Sequence, residues 1–221
     1  YTAKRIVTAG EKAEIEFNIT DQKDAPTFQA SDGLQIAGSA SVTKSGNVTT
    51  YEVPVIALKG GNMTLTAKTS VNTATVAIEA EPLSISSTRT VSMENVNTAK
   101  LTFSVHAHVD VEPSVTAQNA TVTTTKASST TNDIWTVTVT PNAGATSASV
   151  TFSLAGSSAT TNITITNPAQ EIADQFLSYA KSNGYNVTYN TAIAAPQLIG
   201  YTTSKIDMTG GKADTNSLYN L

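Results

Sequence analysis

The feature that most constrains the fold is a block of alternating residues that occurs twice. Residues 13–20 read AEIEFNIT and residues 99–106 read AKLTFSVH. In both blocks every second residue is apolar, and Phe17 corresponds to Phe103, 86 positions later. Such alternation predicts a strand with one buried face. Because a repeated unit implies one domain type used twice, it sets the frame for the rest of the chain.

Other residue pairs keep nearly the same step, between 84 and 87 positions. They are Pro26 and Pro113, Tyr51 and Trp135, Leu65 and Phe152, Val76 and Ile163, Ile78 and Ile165, and Pro82 and Pro168. The repeat predicts two domains of one kind, at 1–81 and 82–167, joined by a short Pro-containing linker. Phe17 should then match Phe103, and Tyr51 should match Trp135, in equivalent core places.

Turn signals divide each copy into short strands, a spacing typical of a β-sandwich or barrel. Extended segments are expected at 34–43, 99–109 and 115–124, among others. Trp135 is the only tryptophan, and we expect it to be a core anchor rather than a platform on which a ligand stacks.

The composition excludes several classes of protein. The chain has 13 Lys and Arg against 17 Asp and Glu, a net charge of −4, and shows no basic patch of the kind that binds nucleic acid. No stretch approaches the ~20 apolar residues of a membrane span. There is no cysteine, which argues against the disulfide-bearing vertebrate Ig domain.

The pattern changes at Asn167, where the side chain can cap a helix that Pro168 begins. Apolar residues then recur at helical spacing, at Ile172, Phe176 and Tyr179. We expect a helix-led α/β segment at 168–221, with a strand near 185–189. It either docks on other protein subunits through the apolar stripe of the helix or folds back on itself.

The ends of the two copies, NMTLTAKTSVNTATVAIEA and TSASVTFSLAGSSATTNITIT, resemble the last two strands of bacterial Ig-like domains. The resemblance covers 1–167. It implies an all-β fold of two tandem antiparallel Ig-like β-sandwiches, followed by the small C-terminal α/β segment. Such domains occur in surface adhesins, in accessory segments of secreted enzymes and in exposed phage virion proteins. The family brings no catalytic residues and no cofactor.

Candidate chemistry is sparse. His106, His108 and Asp110 alternate along one predicted strand and could ligate a transition metal, but we interpret them as its solvent face and expect no metal site. Carboxylates near the domain junction could hold Ca²⁺, but they lack the dense spacing of a calcium loop and are expected to be solvated; they are Glu79, Glu81, Asp110 and Glu112. Both histidines belong to one strand, so no Ser/His/Asp triad can be placed and no enzyme is expected.

The sequence therefore predicts a non-catalytic structural or interaction protein, located outside the cell or on a virion surface. The first hypothesis is an exposed accessory subunit of a phage virion, a capsid decoration, tail or fibre part. The alternatives are a bacterial surface adhesin that binds a host glycan or protein, and an accessory region of a secreted enzyme.

Overall fold

The computed structural model describes residues 5–88, 90–129 and 131–184. These residues form sixteen strands and one helix. The strands before the linker are β1 Arg5–Thr8, β2 Lys12–Thr20, β3 Thr27–Ala30, β4 Leu34–Ile36, β5 Ser41–Ser45, β6 Val48–Ala57, β7 Gly61–Lys68 and β8 Thr73–Glu81. Those after it are β9 Ile85–Ser87, β10 Val91–Glu94, β11 Ala99–Val105, β12 Ser114–Gln118, β13 Ala120–Ser128, β14 Asp133–Pro141, β15 Ser147–Leu154 and β16 Ser157–Thr166. The helix α1 is Pro168–Ser182.

Each set of eight strands makes one sandwich of two sheets. The first sandwich packs the sheet β1-β8-β7-β3 against β2-β6-β4, with β5 also paired to β6. The second packs β10-β16-β15-β12 against β13-β14-β11-β9. The chain is thus an all-β tandem of Ig-like sandwiches, as the repeat predicted.

Not every pairing is antiparallel. β1 runs parallel to β8, and β10 runs parallel to β16. In the second sandwich β9 pairs with β11 in one sheet, and the chain then crosses to join the other sheet as β10. An alternating pattern predicts which face of a strand is buried but not which neighbour it joins, so the parallel pairs could not be read from it.

The repeated block does turn the same face inward twice. Phe17 lies opposite Tyr51 in the ladder, and Phe103 lies opposite Trp135. Phe17 is 5% exposed and Phe103 is fully buried. Trp135 is 1% exposed, so its ring is a core anchor and is closed to a stacking ligand.

Three expected matches are displaced by two residues, namely Leu65 with Phe152, Val76 with Ile163 and Ile78 with Ile165. Val7 pairs with Ala80, and Met93 pairs with Ile165, which fixes the alignment of the closing hairpins. Following the ladders from those pairs, Phe152 corresponds to Ala67 and not to Leu65. Positions two apart share a face, so alternation alone could not separate the two registers.

Three predicted extended segments are also interrupted. The segment 34–43 forms two strands, β4 and β5, that pair with different parts of β6. The segment 99–109 stops being a strand after Val105. The segment 115–124 breaks at Asn119, whose φ of 56° places it in the left-handed region that strands exclude.

The predicted helix is present. The Asn167 side chain accepts a hydrogen bond from Gln170 N at 3.2 Å, and Pro168 occupies the first turn. Ile172 and Tyr179 are 41% and 59% exposed, so this part of the apolar stripe lies open to solvent. The rest of the C-terminal segment, including the strand expected near 185–189, lies outside the described residues.

Candidate functional site: the joint between the sandwiches

The suggested metal ligands lie in the connection between β11 and β12. Their side chains are exposed while Ala107 and Val109 between them are buried, so the alternation continues beyond the strand. His108 Nδ1 lies 3.1 Å from a carboxylate oxygen of Asp133. Asp110 instead faces the first sandwich. In the described part of the chain, no three His, Cys, Asp or Glu side chains are grouped so as to hold a metal ion.

This connection forms the contact between the two sandwiches, which we call the joint: Ala9, Gly10, Lys12, Leu83, Val109, Asp110 and Ala155. Its apolar centre is buried, with Ala9 at 0%, Val109 at 5% and Leu83 at 7% exposure. These three residues lie in one hydrophobic cluster that continues into both cores.

Gly10 is one of two glycines at which the surfaces of the sandwiches approach closely in the described part of the chain. Its φ of +84° favours glycine, and a Cβ there would stand 3.0 Å from Val109 Cγ1 and 3.3 Å from Ala155 Cβ. Any other residue would strain the backbone and push the sandwiches apart. Gly156 is constrained in the same way by Lys59: its φ is +78°, and a Cβ there would stand 2.8 Å from the lysine Cβ.

Two hydrogen bonds cross the joint. The Asp110 N–H donates to the Gly10 carbonyl oxygen at 2.8 Å. The Lys12 N–H donates to the Asp110 carboxylate at 2.9 Å. Lys12 is the first residue of β2 in the first sandwich. Asp110, from a loop of the second sandwich, therefore binds the backbone at the start of that strand.

A buried carboxylate holds that loop in place. The Asp133 side chain is 2% exposed and accepts four hydrogen bonds. The donors are Lys126 Nζ at 2.7 Å, Ser128 Oγ at 2.8 Å, Val109 N at 2.9 Å and His108 Nδ1 at 3.1 Å. Burial by itself raises the pKa of Asp133, but these donors outweigh it and hold the pKa far below its usual range. The group is therefore an anion throughout the physiological range of pH.

Lys126 provides the second polar contact to the Val109 backbone. Its Nζ donates to the Val109 carbonyl oxygen at 3.1 Å and lies 5.0 Å from the centre of the Trp135 ring, within the range of a cation–π contact. Asp133 holds the N–H of Val109 and Lys126 holds its C=O. The pair thus fixes the backbone on both sides of Val109, whose side chain packs on Gly10.

Sequence reasoning did not identify Asp133, Lys126 or Gly10. A signal for Asp133 was available, since it falls on the inward face of β14 with Trp135, Val137 and Val139. A carboxylate on a buried face requires several donors. Nothing local in the sequence identified those donors, which come from β13 and from the loop after β11.

The described residues contain no helix with the length and apolarity needed to cross a bilayer.

No model of a known protein family matches the chain, and no curated protein matches its sequence. Solved structures similar to it include the I9–I11 tandem of titin, at 11% identity and a TM-score of 0.47, covering 74% of this chain and 63% of that one. Domains 4 and 5 of the S-layer protein SbsC are 18% identical at a TM-score of 0.33, covering 64% and 70%. An endo-fucoidan hydrolase of glycoside hydrolase family 107 has 13% identity and a TM-score of 0.27, and the match covers 75% of this chain and 28% of the hydrolase. The chain spans less than two thirds of the titin fragment. At such identities the likeness concerns the fold alone.

Proposed function

We propose that this chain is a non-catalytic structural subunit, an exposed accessory part of a phage virion such as a capsid decoration, tail or fibre protein. The observation that carries the structural role is the joint. Three residues separate β8 from β9, and across this short link the two sandwiches share buried apolar contacts and two hydrogen bonds. A tandem joined in this way acts as one stiff spacer.

The polar groups of the joint support a structural role over a catalytic one. Catalysis needs a nucleophile or an acid–base pair in contact with a bound substrate. Asp133, the buried charged group at the joint, has its oxygens occupied by protein donors. His108, half-exposed, has its Nδ1 3.1 Å from Asp133.

We propose that the segment 168–221 provides the attachment. β16 starts beside the joint, where Gly156 lies on Lys59, and ends at Thr166 at the opposite end of the second sandwich. The helix α1 therefore leaves from the end away from the joint. Its exposed apolar residues Ile172 and Tyr179, with Phe176 between them, would bind another subunit of the assembly, and the sandwiches would project outward toward a host-surface glycan or protein.

The location is tested by labelling with antibodies raised against the two sandwiches. Purified phage particles should bind them. Labelling of the bacterial surface in the absence of particles would overturn the virion assignment and favour the adhesin.

Attachment is tested with a chain truncated after Asn167. Its sandwiches should remain folded, because each has its own buried core, but it should fail to join the particle. The matched control is the full-length chain carrying Glu171→Gln, an exposed change on the same helix, which should still be incorporated. Incorporation of the truncated chain would contradict the docking role of 168–221.

A further inference from the structure

The turn between β15 and β16 departs from the sequence that its geometry favours. Leu154 pairs with Ser157, so Ala155 and Gly156 form a two-residue hairpin turn. Their φ angles are 43° and 78°. Positive φ at both central residues marks a type I′ turn, for which Asn-Gly, Asp-Gly and Gly-Gly are preferred. An alanine thus stands where one of those residues is expected.

Ala155 also differs from the other residues with positive φ. The described part of the chain has three such residues besides glycine: Asp21, Asn119 and Ala155. Asp and Asn tolerate the left-handed region because their short polar side chains bond locally, and Asn119 donates to the Ser147 carbonyl oxygen at 3.2 Å. The methyl group of Ala155 can make no such bond. The hairpin therefore carries backbone strain that this side chain does not offset.

The joint accounts for the alanine. Ala155 is partly buried and packs on the hydrophobic cluster that both sandwiches share. Its Cβ lies 3.3 Å from the point where a Gly10 Cβ would stand. Asparagine would bring an amide against this apolar contact, where burial of a polar group costs free energy, and glycine would remove the methyl group. Alanine is the smallest residue that gives Gly10 an apolar partner.

The corresponding hairpin of the first sandwich lacks both features. Its loop, residues 69–72, joins β7 to β8 at the end away from the joint. None of these residues has positive φ, and Thr69 N donates to the Asn72 carbonyl oxygen at 2.9 Å. The tight, strained turn is therefore found at the sandwich end that contacts a neighbour.

We propose that Ala155 is a positioning residue of the joint, present for its contact with Gly10 although it lowers the stability of its own hairpin. The proposal rests on the structural role proposed above, because a strained turn that fixes the orientation of two sandwiches serves a stiff spacer. Replacing Ala155 with the residue that the turn prefers then changes two properties in opposite directions. The hairpin becomes more stable and the joint becomes looser.

The first readout is amide hydrogen exchange in the full chain carrying Ala155→Asn. The Lys12 and Asp110 N–H groups cross the joint, and their protection should fall several-fold, since both exchange when the joint opens while the sandwiches stay folded. Protection of the Val109 N–H should be unchanged, because its acceptor Asp133 belongs to the same sandwich.

The second readout is denaturant titration followed by Trp135 fluorescence. It is made in a Gly10→Asn background, where the added side chain meets Val109 and already holds the joint open. Loss of the joint contact then does not mask the relief of strain. In that background Ala155→Asn should raise the denaturation midpoint of the second sandwich. In the otherwise unmodified chain the rise should be smaller, because the joint contact is lost as the strain is relieved.

The matched control is Asn119→Ala. It places an alanine in a positive-φ turn at the end of the second sandwich away from the joint. This variant should lower the midpoint and leave the protection of Lys12 and Asp110 unchanged.

Unchanged protection of Lys12 and Asp110 in Ala155→Asn would overturn the proposal, since the joint would then not depend on the alanine. A lowered midpoint in the Gly10→Asn background would also overturn it, because the hairpin would then not be strained. Antibody labelling of particles decides the virion assignment independently of both readouts.

Discussion

The two sandwiches fill the same core position from different strands. In the first, Phe28 of β3 packs on Phe17 and Tyr51, with ring centres 5.6 and 5.7 Å apart, and Ala67 of β7 lies opposite it. In the second, β15 supplies the ring: Phe152 packs on Phe103 and Trp135 at 4.9 and 5.3 Å, with Val115 opposite. The large and small residues have exchanged strands. The comparison shows that the fold requires the volume to be filled and leaves open which strand fills it.

A second difference lies where β5 and β13 meet their neighbours. The ladders place Thr49, Val42 and Tyr51 of the first sandwich at the positions of Asp133, Lys126 and Trp135 in the second. The neutral set lies at the end of the first sandwich away from the joint. The charged set lies at the joint, where it holds the loop that contacts the other sandwich. The same fold thus carries the Lys126–Asp133 ion pair only in the second sandwich, at the end that contacts the first.

The largest effect is expected from removing a shared core ring. Phe103→Ala should lower the free energy of unfolding of the second sandwich by about 3–5 kcal/mol. Trp135, the only tryptophan, reports on that sandwich in denaturant titrations followed by fluorescence. Thr102→Ala, one position away with its side chain exposed, should cost little. Equal effects would mean that the inward face of β11 is wrongly assigned.

Removal of the buried carboxylate should come next. Asp133→Ala leaves Lys126, Ser128 and the Val109 N–H without their acceptor, and should cost about 2–3 kcal/mol, the scale of hydrogen bonds to a charged group. The same titration measures it. Thr49→Ala, at the equivalent position of the first sandwich, should cost only about 1 kcal/mol. A larger loss at Thr49 would contradict the view that the charged set is particular to the joint.

The strand exchange can be tested by converting the first sandwich to the arrangement of the second. Ala67→Phe alone should destabilise by about 1–3 kcal/mol through overpacking. Combined with Phe28→Val, which vacates the same space, part of that loss should be recovered. Thermal unfolding of both single variants and the double variant measures the coupling. Strict additivity would show that the two positions do not share one space.

Acid should lower the stability of the second sandwich more in the unmodified chain than in the Asp133→Asn variant. The folded-state pKa of Asp133 is lowered, so its contribution to stability is full above the unfolded-state pKa of about 3.9 and is lost progressively as the pH falls below that value. Between pH 5 and pH 3 the denaturation midpoint followed by Trp135 fluorescence should fall more steeply in the native chain than in the variant. Parallel pH profiles would contradict the assignment.

The smallest effect is expected for metal. The loop that carries His106, His108 and Asp110 should not bind Zn²⁺ with sub-micromolar affinity, because a structural zinc site normally has four ligands. Isothermal calorimetry with Zn²⁺ tests this. Tight binding that disappears in His108→Ala would establish a metal site there.

Much of the fold was predictable because a strand's alternation is a local property. The burial of Phe17, Phe103, Tyr51 and Trp135, and the helix cap at Asn167, follow from neighbours in sequence. The interruption at Asn119 could not be read from the alternation of apolar residues. Neither could the match of Phe152 to Ala67, because a shift of two residues leaves the buried face unchanged.

The joint was hidden for a different reason. Asp110 and Lys12 are 98 residues apart, and the Asp110 carboxylate meets a backbone N–H of Lys12 that any residue other than proline would offer. The sequence by itself determined that the chain repeats one sandwich and which residues each copy buries, because hydrophobic periodicity is written locally. Only the tertiary structure decided that Gly10 receives Val109 and that Asp133 collects its donors from two separate segments, β13 and the loop after β11. Each of these depends on which distant segments come together when the sheets form.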